Sequence, residues 1–186
     1  MGRIIIAGIA GGIAMFVVMS IAHMSPVAQI GFSQMTDDGP ALSALKTATG
    51  NKPGLYIYPS VDMTSGDAMA RMDAAMKVNP SGILVYQPPG ARNGITPKLL
   101  ITEFVTEVVQ ALIAAALLSF VAAATYGARV GFVSLVGLVS AITTNISYWN
   151  WYAFPLSYTF ANMGIEIVSF IAAGFAIAAL VKPKSA

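Results

Sequence analysis

The chain contains no cysteine and a single histidine. That leaves it no disulfide, no thiolate metal site and no thiol nucleophile, so the redox compartment cannot be read from cysteine usage. It is also poor in charge. Charged residues make up 10% of the sequence and hydrophobic residues 56%, whereas a soluble domain carries about 25% charged residues. A surface in water needs more charge than this. Basic patches are lacking as well. Between Ser25 and Pro97, Lys46, Lys52, Arg71, Lys77 and Arg92 balance Asp37, Asp38, Asp62, Asp67 and Asp73. A nucleic-acid partner has nothing to grip there. Walker-type phosphate loops, H-E-x-x-H spacings and nucleophile–base pairs are missing too. The sequence therefore indicates no catalytic residues and no recognised metal motif, leaves any cofactor unknown, and fits a non-enzyme better than an enzyme that uses a glutamate as acid or base on a lipid-soluble substrate.

Long apolar runs are abundant. They cover Ile4 to Met24, about Leu99 to Thr125, about Val130 to Ile146, and about Tyr158 to Val181. A bilayer core takes roughly 20 mostly apolar residues. The expected fold class is a membrane all-α protein: four transmembrane helices with a small α/β extracytoplasmic insert between the first two. Residues 1–24 form an anchor helix, residues 25–98 the insert, and residues 99–186 three further helices that complete the bundle. Ser20-Ile21-Ala22 also resembles the end of a signal peptide. The apolar stretch exceeds the usual 7–15 residues of such a leader, and a retained anchor is the expectation.

Short-loop Lys and Arg mark the cytoplasmic side. Arg3, Arg129, Lys182 and Lys184 share one side if the chain crosses four times. Both termini are then cytoplasmic, and the insert lies in the periplasm or outside the cell. The stretch SYWNWYAFP (147–155) is expected to be a loop on that outer side, seated in the interface where it completes the short third span. Its Tyr148, Trp149, Trp151 and Tyr152, with Tyr158, read as an aromatic belt where hydrocarbon meets water. Together with Asn150 they are also candidate partner contacts.

The insert reads as helix, strand, helix, strand. Asp38-Gly39-Pro40 opens a helix that Gly50 stops. GLYIYP (54–59) and GILVYQPP (82–89) are strand-like. Ser65 is placed to cap a helix over 65–78 whose Met69, Met72 and Met76 form an expected core stripe. A strand–helix–strand crossover would make the two strands parallel neighbours. Such a sheet is marginal alone, so the insert is expected to lean on the bundle or on a partner.

The most telling pattern is polar residues inside the apolar runs. Glu103, Thr106, Glu107 and Gln110 fall at i, i+3, i+4 and i+7, on one helix face. Asn162 and Glu166 are one turn apart in the fourth run. Thr143, Thr144 and Asn145 reach a similar depth in the third, and His23 ends the first. Ionisable groups at such depth face a bundle interior and need partners; Lys98 and His23 are the bases within reach. Three readings stay open: a hydrogen-bonded cluster that holds helices together, a polar pocket, or a metal held by His23 and glutamates. In the pocket reading, Glu103, Thr106, Glu107, Gln110, Asn145, Asn162, Glu166 and His23 bind a small ligand, quinone, lipid headgroup or cation. Gly8 and Gly12 form a G-x-x-x-G face suited to close helix packing, within the bundle or against another subunit.

The plan as a whole, with Pro53 to Pro59 as a PGLYxYP-like strand and Ser147 to Pro155 as a SYWNWYxFP-like loop, resembles a group of bacterial four-span membrane proteins. The resemblance implies this topology and a bacterial inner membrane, and no activity. Two functional expectations follow from the residues. One is a non-catalytic accessory or assembly subunit that contacts other membrane-protein subunits, or its own copies, through the insert and the aromatic stretch. The other is a binding or transport protein that uses the polar pocket. Membrane lipid is the common partner of both.

Overall fold

In a computed structural model, residues 2–92, 94–123 and 125–181 are described; Lys182 and Lys184 lie outside them. The chain forms two compact units. One joins residues 1–32 to residues 95–186, and the other is Ser33–Gly94.

The first unit holds four helices long and apolar enough to cross a membrane: α1 (Gly2–His23), α4 (Pro97–Leu118), α5 (Tyr126–Tyr152) and α6 (Leu156–Leu180). Their starts follow local rules. Thr96 Oγ1 accepts from the Leu99 amide at 3.3 Å ahead of Pro97, and Thr125 Oγ1 accepts from the Ala128 amide at 3.1 Å. Such caps satisfy amides that have no partner inside the helix. α4 ends at Leu118, short of the Thr125 expected from hydropathy.

α5 departs further from expectation. It runs on through Ser147–Tyr152 and stops at Ala153, which adopts φ 55. The aromatic stretch is therefore the last part of a helix, and only residues 153–155 turn the chain. Nothing in Ser147–Tyr152 breaks a helix. The break comes where Pro155 disfavours helical backbone in the residue before it.

Packing order is α4–α1–α6–α5. α1 lies extensively against both α4 and α6, α6 lies against α5, and α4 and α5 touch little. Small residues set the approach. A Cβ added at Gly8 would stand 2.7 Å from Leu112 Cα, and one at Gly12 would stand 2.5 Å from Val108 Cα. The G-x-x-x-G face offered as an interface is thus occupied within the chain, by α4. On the other side of the row, Gly137 of α5 admits the Phe170 side chain of α6.

The fully buried apolar residues are largely alanines, including Ala7, Ala111, Ala114, Ala115, Ala141 and Ala173. Large apolar side chains such as Ile6, Ile9, Ile13, Ile113, Leu135, Val139 and Phe175 face outward. That distribution reverses the pattern of a protein folded in water, and it suits a solvent of acyl chains, where small residues bring helices together.

Arg129 and Tyr126, at the start of α5, bind the end of α6. Arg129 Nε donates to the Ala178 carbonyl at 3.1 Å, and Tyr126 Oη donates to the Phe175 carbonyl at 2.9 Å. A cation on the closing carbonyls of a helix satisfies free acceptors and the helix dipole together. Arg129→Met is expected to lower unfolding stability by about 1.5–3 kcal/mol, the range for hydrogen bonds to charged groups. Faster amide exchange confined to the last turn of α6 and the start of α5 would check it. Unchanged exchange there would contradict it.

After α1 the chain makes a short 3-10 turn, Pro26–Gln29, capped by Ser25. Gly31 then adopts φ +89 against α6, where an added Cβ would stand 2.4 Å from Tyr158 Cβ. Gly31→Ala meets both a disfavoured backbone and a clash. A melting-curve loss of about 1–3 kcal/mol is expected, together with release of the Phe32 ring from Tyr158.

The second unit contains α2 (Gly39–Ala48), β1 (Gly54–Tyr58), α3 (Ala68–Met76) and β2 (Gly82–Tyr86). The strands pair antiparallel, with Gly54 opposite Tyr86 and Tyr58 opposite Gly82. The parallel crossover expected from strand–helix–strand order does not occur. A crossover needs a helix seated on the sheet, and α3 buries only Ala68. Met69 and Met76 are exposed, so the methionine stripe is not a core. Ser65 does not cap α3 either. Its hydroxyl donates to the Asp62 carbonyl at 2.9 Å, and Asp67 occupies the cap position. The unit is held instead by tyrosines reaching the end of α2. Tyr86 Oη bonds Asn51 Oδ1 at 3.0 Å, and Tyr56 Oη donates to the Lys52 carbonyl at 2.9 Å.

Candidate functional site

One end of the four-helix unit contains a cavity of about 250 Å³. All four long helices line it. α1 contributes Met15, Met19 and His23. α4 contributes Glu103, Thr106, Glu107 and Gln110. From α5 come Thr144, Asn145 and Tyr148, and from α6 come Tyr158, Asn162, Ile165, Glu166 and Ser169. Each of the eight residues marked in the sequence as ligand candidates is on this wall. The geometry follows from antiparallel packing. The last turns of α1 and α5 lie beside the first turns of α4 and α6, so residues far apart in sequence share one level. The opposite end is an apolar cluster built around Ala7, Ala114, Ala115, Leu118, Val133, Ala173 and Ile177.

The acids have different environments. Glu166 is tied into the bundle: the Ser140 hydroxyl donates to its Oε1, and Asn145 Nδ2 stands 3.4 Å from its Oε2. Glu107 is 3% exposed, yet its Oε2 has no hydrogen-bond partner among the described residues. A buried polar atom without a partner costs about 1–3 kcal/mol, so native proteins leave few of them. No hydrogen bond to the Glu103 carboxylate is formed among the described residues.

Several donors around the wall are turned onto the backbone, while Gln110, Thr144, Tyr148 and Tyr158 form no side-chain hydrogen bond among the described residues. Thr106 Oγ1 donates to Thr102 O at 2.9 Å, and Ser169 Oγ donates to Ile165 O at 3.0 Å. Asn162 Nδ2 donates to Tyr158 O at 3.0 Å, and Asn145 Nδ2 donates to Ala141 O at 3.0 Å. His23 Nδ1 lies 2.8 Å from Met19 O. What faces the space combines carboxylates and amide oxygens with these neutral donors, and His23 is the only base among the described lining residues.

Two expected neighbours are elsewhere. Lys98 is exposed and absent from the cavity wall. Thr143 is also exposed and bonds back to Val139 O at 2.8 Å. Among the described residues, no group of three or more His, Asp or Glu side chains is arranged to hold a metal ion.

Aromatic rings continue from the wall. Tyr158 contacts Phe32 at 5.5 Å and Phe154 at 5.2 Å between centroids. Tyr148 stacks on Phe154 at 5.3 Å and meets Tyr152 at 6.0 Å. Tyr148, marked in the sequence as a partner contact, thus belongs to the cavity as well. Trp149, Asn150, Trp151 and Tyr152 are exposed. Met15, Met19, Ile165 and Ser169 were not foreseen on the wall, nor was Ser140 as the partner of Glu166. Only helix order reveals them, because in sequence each is an ordinary residue of an apolar helix.

Compared with protein-family models, curated proteins and solved structures, the chain shows no match.

Proposed function

We propose that this chain crosses a bacterial inner membrane four times and holds a small ligand in the polar cavity, without catalysing a reaction. Both termini would face the cytoplasm, as Arg3 and Arg129 suggest under the positive-inside rule, with residues 33–94 on the far side. The observation that carries the ligand reading is Glu107: a buried carboxylate with an unpartnered Oε2, on a cavity wall shared by four helices. A purely structural cluster would be expected to satisfy its own atoms, as Glu166 does.

Gently extracted protein is expected to carry a bound small molecule in native mass spectrometry, and Glu107→Gln is expected to lose it. A bare chain mass, or a bound mass indifferent to that substitution, would overturn the reading.

A second reading is an accessory subunit that contacts a partner. It is favoured by the second unit, where Leu55, Ile57 and Val85 lie exposed on one face of the two-stranded sheet. Its check is a stoichiometric partner chain, retained on purification and released by Leu55→Asp.

A further inference from the structure

We infer that the ligand of this cavity presents a primary ammonium group. The inference rests on the ligand-holding reading above and specifies its chemistry.

Acceptors without partners converge there. They are Glu107 Oε2, the Glu103 carboxylate, and the carbonyl oxygens of Asn145 and Asn162, whose amide nitrogens are already bonded to Ala141 O and Tyr158 O. The Thr106 and Ser169 hydroxyls bond backbone carbonyls, and the donors left on the wall, from Gln110, Thr144, Tyr148 and Tyr158, are neutral and cannot balance the carboxylates. Among the described lining residues there is no Lys or Arg, and His23 is the only base. A phosphate or carboxylate ligand would meet carboxylates with no Lys or Arg among the described lining residues to offset the like charge. A divalent metal would lack a ligand set among the described residues. A primary ammonium supplies three N–H donors and one positive charge at a single point, and charge-assisted bonds to carboxylate are the strong kind. A quaternary ammonium brings charge with no donor, so Glu107 Oε2 would remain unsatisfied.

Size agrees. Apolar cavities of about 150 Å³ take up benzene, so a space of about 250 Å³ holds a short amine or a headgroup and excludes a whole lipid. The weak contact between α4 and α5 leaves one flank of the helix row loosely closed. An acyl-linked amine could extend through that flank while its nitrogen sits at Glu107. The same ammonium chemistry therefore has two sources, a free small amine or an aminophospholipid headgroup.

The experiment uses the full chain in nanodiscs and reads the unfolding temperature. In discs of phosphatidylcholine alone, propylamine and ethanolamine are titrated against propanol and tetramethylammonium. In parallel, discs containing phosphatidylethanolamine are compared with the phosphatidylcholine discs. A rise with the primary amines alone, half-saturating at a concentration at least tenfold higher in Glu107→Gln, supports a free amine. A rise with the ethanolamine lipid, abolished in Glu107→Gln, supports a headgroup. Glu103→Gln and Asn162→Leu should weaken either response several-fold, so the test survives if Glu107→Gln fails to fold. Equal responses to propanol or tetramethylammonium, or no response in either arm, overturn the amine assignment. The ligand-holding reading fails separately: it falls if native mass spectrometry finds no bound molecule, and it stands if a neutral or anionic compound is found that depends on Glu107.

Discussion

Gly12→Leu is expected to pull α1 from α4 and leave the four-helix unit unable to assemble. The Cβ of any residue at this position would meet Val108 Cα at 2.5 Å and Val108 N at 2.9 Å. These are backbone atoms, which cannot swing aside as a side-chain tip can. Overpacking a well-filled contact costs about 1–3 kcal/mol, and alanine alone should reach that range. Leucine adds three more carbons to the same gap. Because α1 also packs on α6, displacing it disturbs both of its neighbours. The measurement is the fraction of monodisperse protein after extraction, with its melting temperature. Gly164→Ala is the control, since a Cβ there meets nothing within 4 Å and alanine favours the helix. A Gly12→Leu protein as monodisperse and heat-stable as the control would contradict the packing described.

The second large effect is a difference in sign between two glutamates on the same wall. Glu166→Ala removes the acceptor for the Ser140 hydroxyl and the Asn145 amide. It should destabilise the ligand-free protein by about 1–3 kcal/mol, the cost of unsatisfied buried groups. Glu107→Met removes an oxygen that has no partner and fills similar volume with an apolar chain. It should stabilise the ligand-free protein by a comparable amount while abolishing ligand uptake. Paired melting curves in one detergent read both. If both substitutions destabilise equally, Glu107 has a structural partner and the cavity is an internal brace. Opposite signs are what a site built for an occupant produces, because such sites trade stability for function.

The long helices were legible because their signal is length and hydropathy, and each of the four apolar runs is a long helix. The polar wall was legible for a related reason. Helical periodicity alone sets Glu103, Thr106, Glu107 and Gln110 on one face, and antiparallel packing then brings Asn145, Asn162 and Glu166 to the same level. What stayed hidden depends on contacts between elements. The order α4–α1–α6–α5 decides that Ser140 meets Glu166 and that Met15 and Met19 line the cavity. No local pattern encodes that order. The aromatic stretch was misread as a loop because Trp and Tyr suggest a boundary, whereas helix ends are set by backbone rules, here at Ala153 and Pro155. The strand pair was misread because element order alone implied a crossover. The actual pairing depends on a nine-residue α3 too exposed to cover a sheet.

The continuation of α5 through residue 152 has a practical result. The protein's only two tryptophans, Trp149 and Trp151, lie in its final turns. Intrinsic fluorescence therefore reports on a single level of the molecule, one to two turns beyond Asn145. Brominated acyl chains of graded bromine depth would quench that emission most strongly at one height, making the native protein its own ruler for immersion.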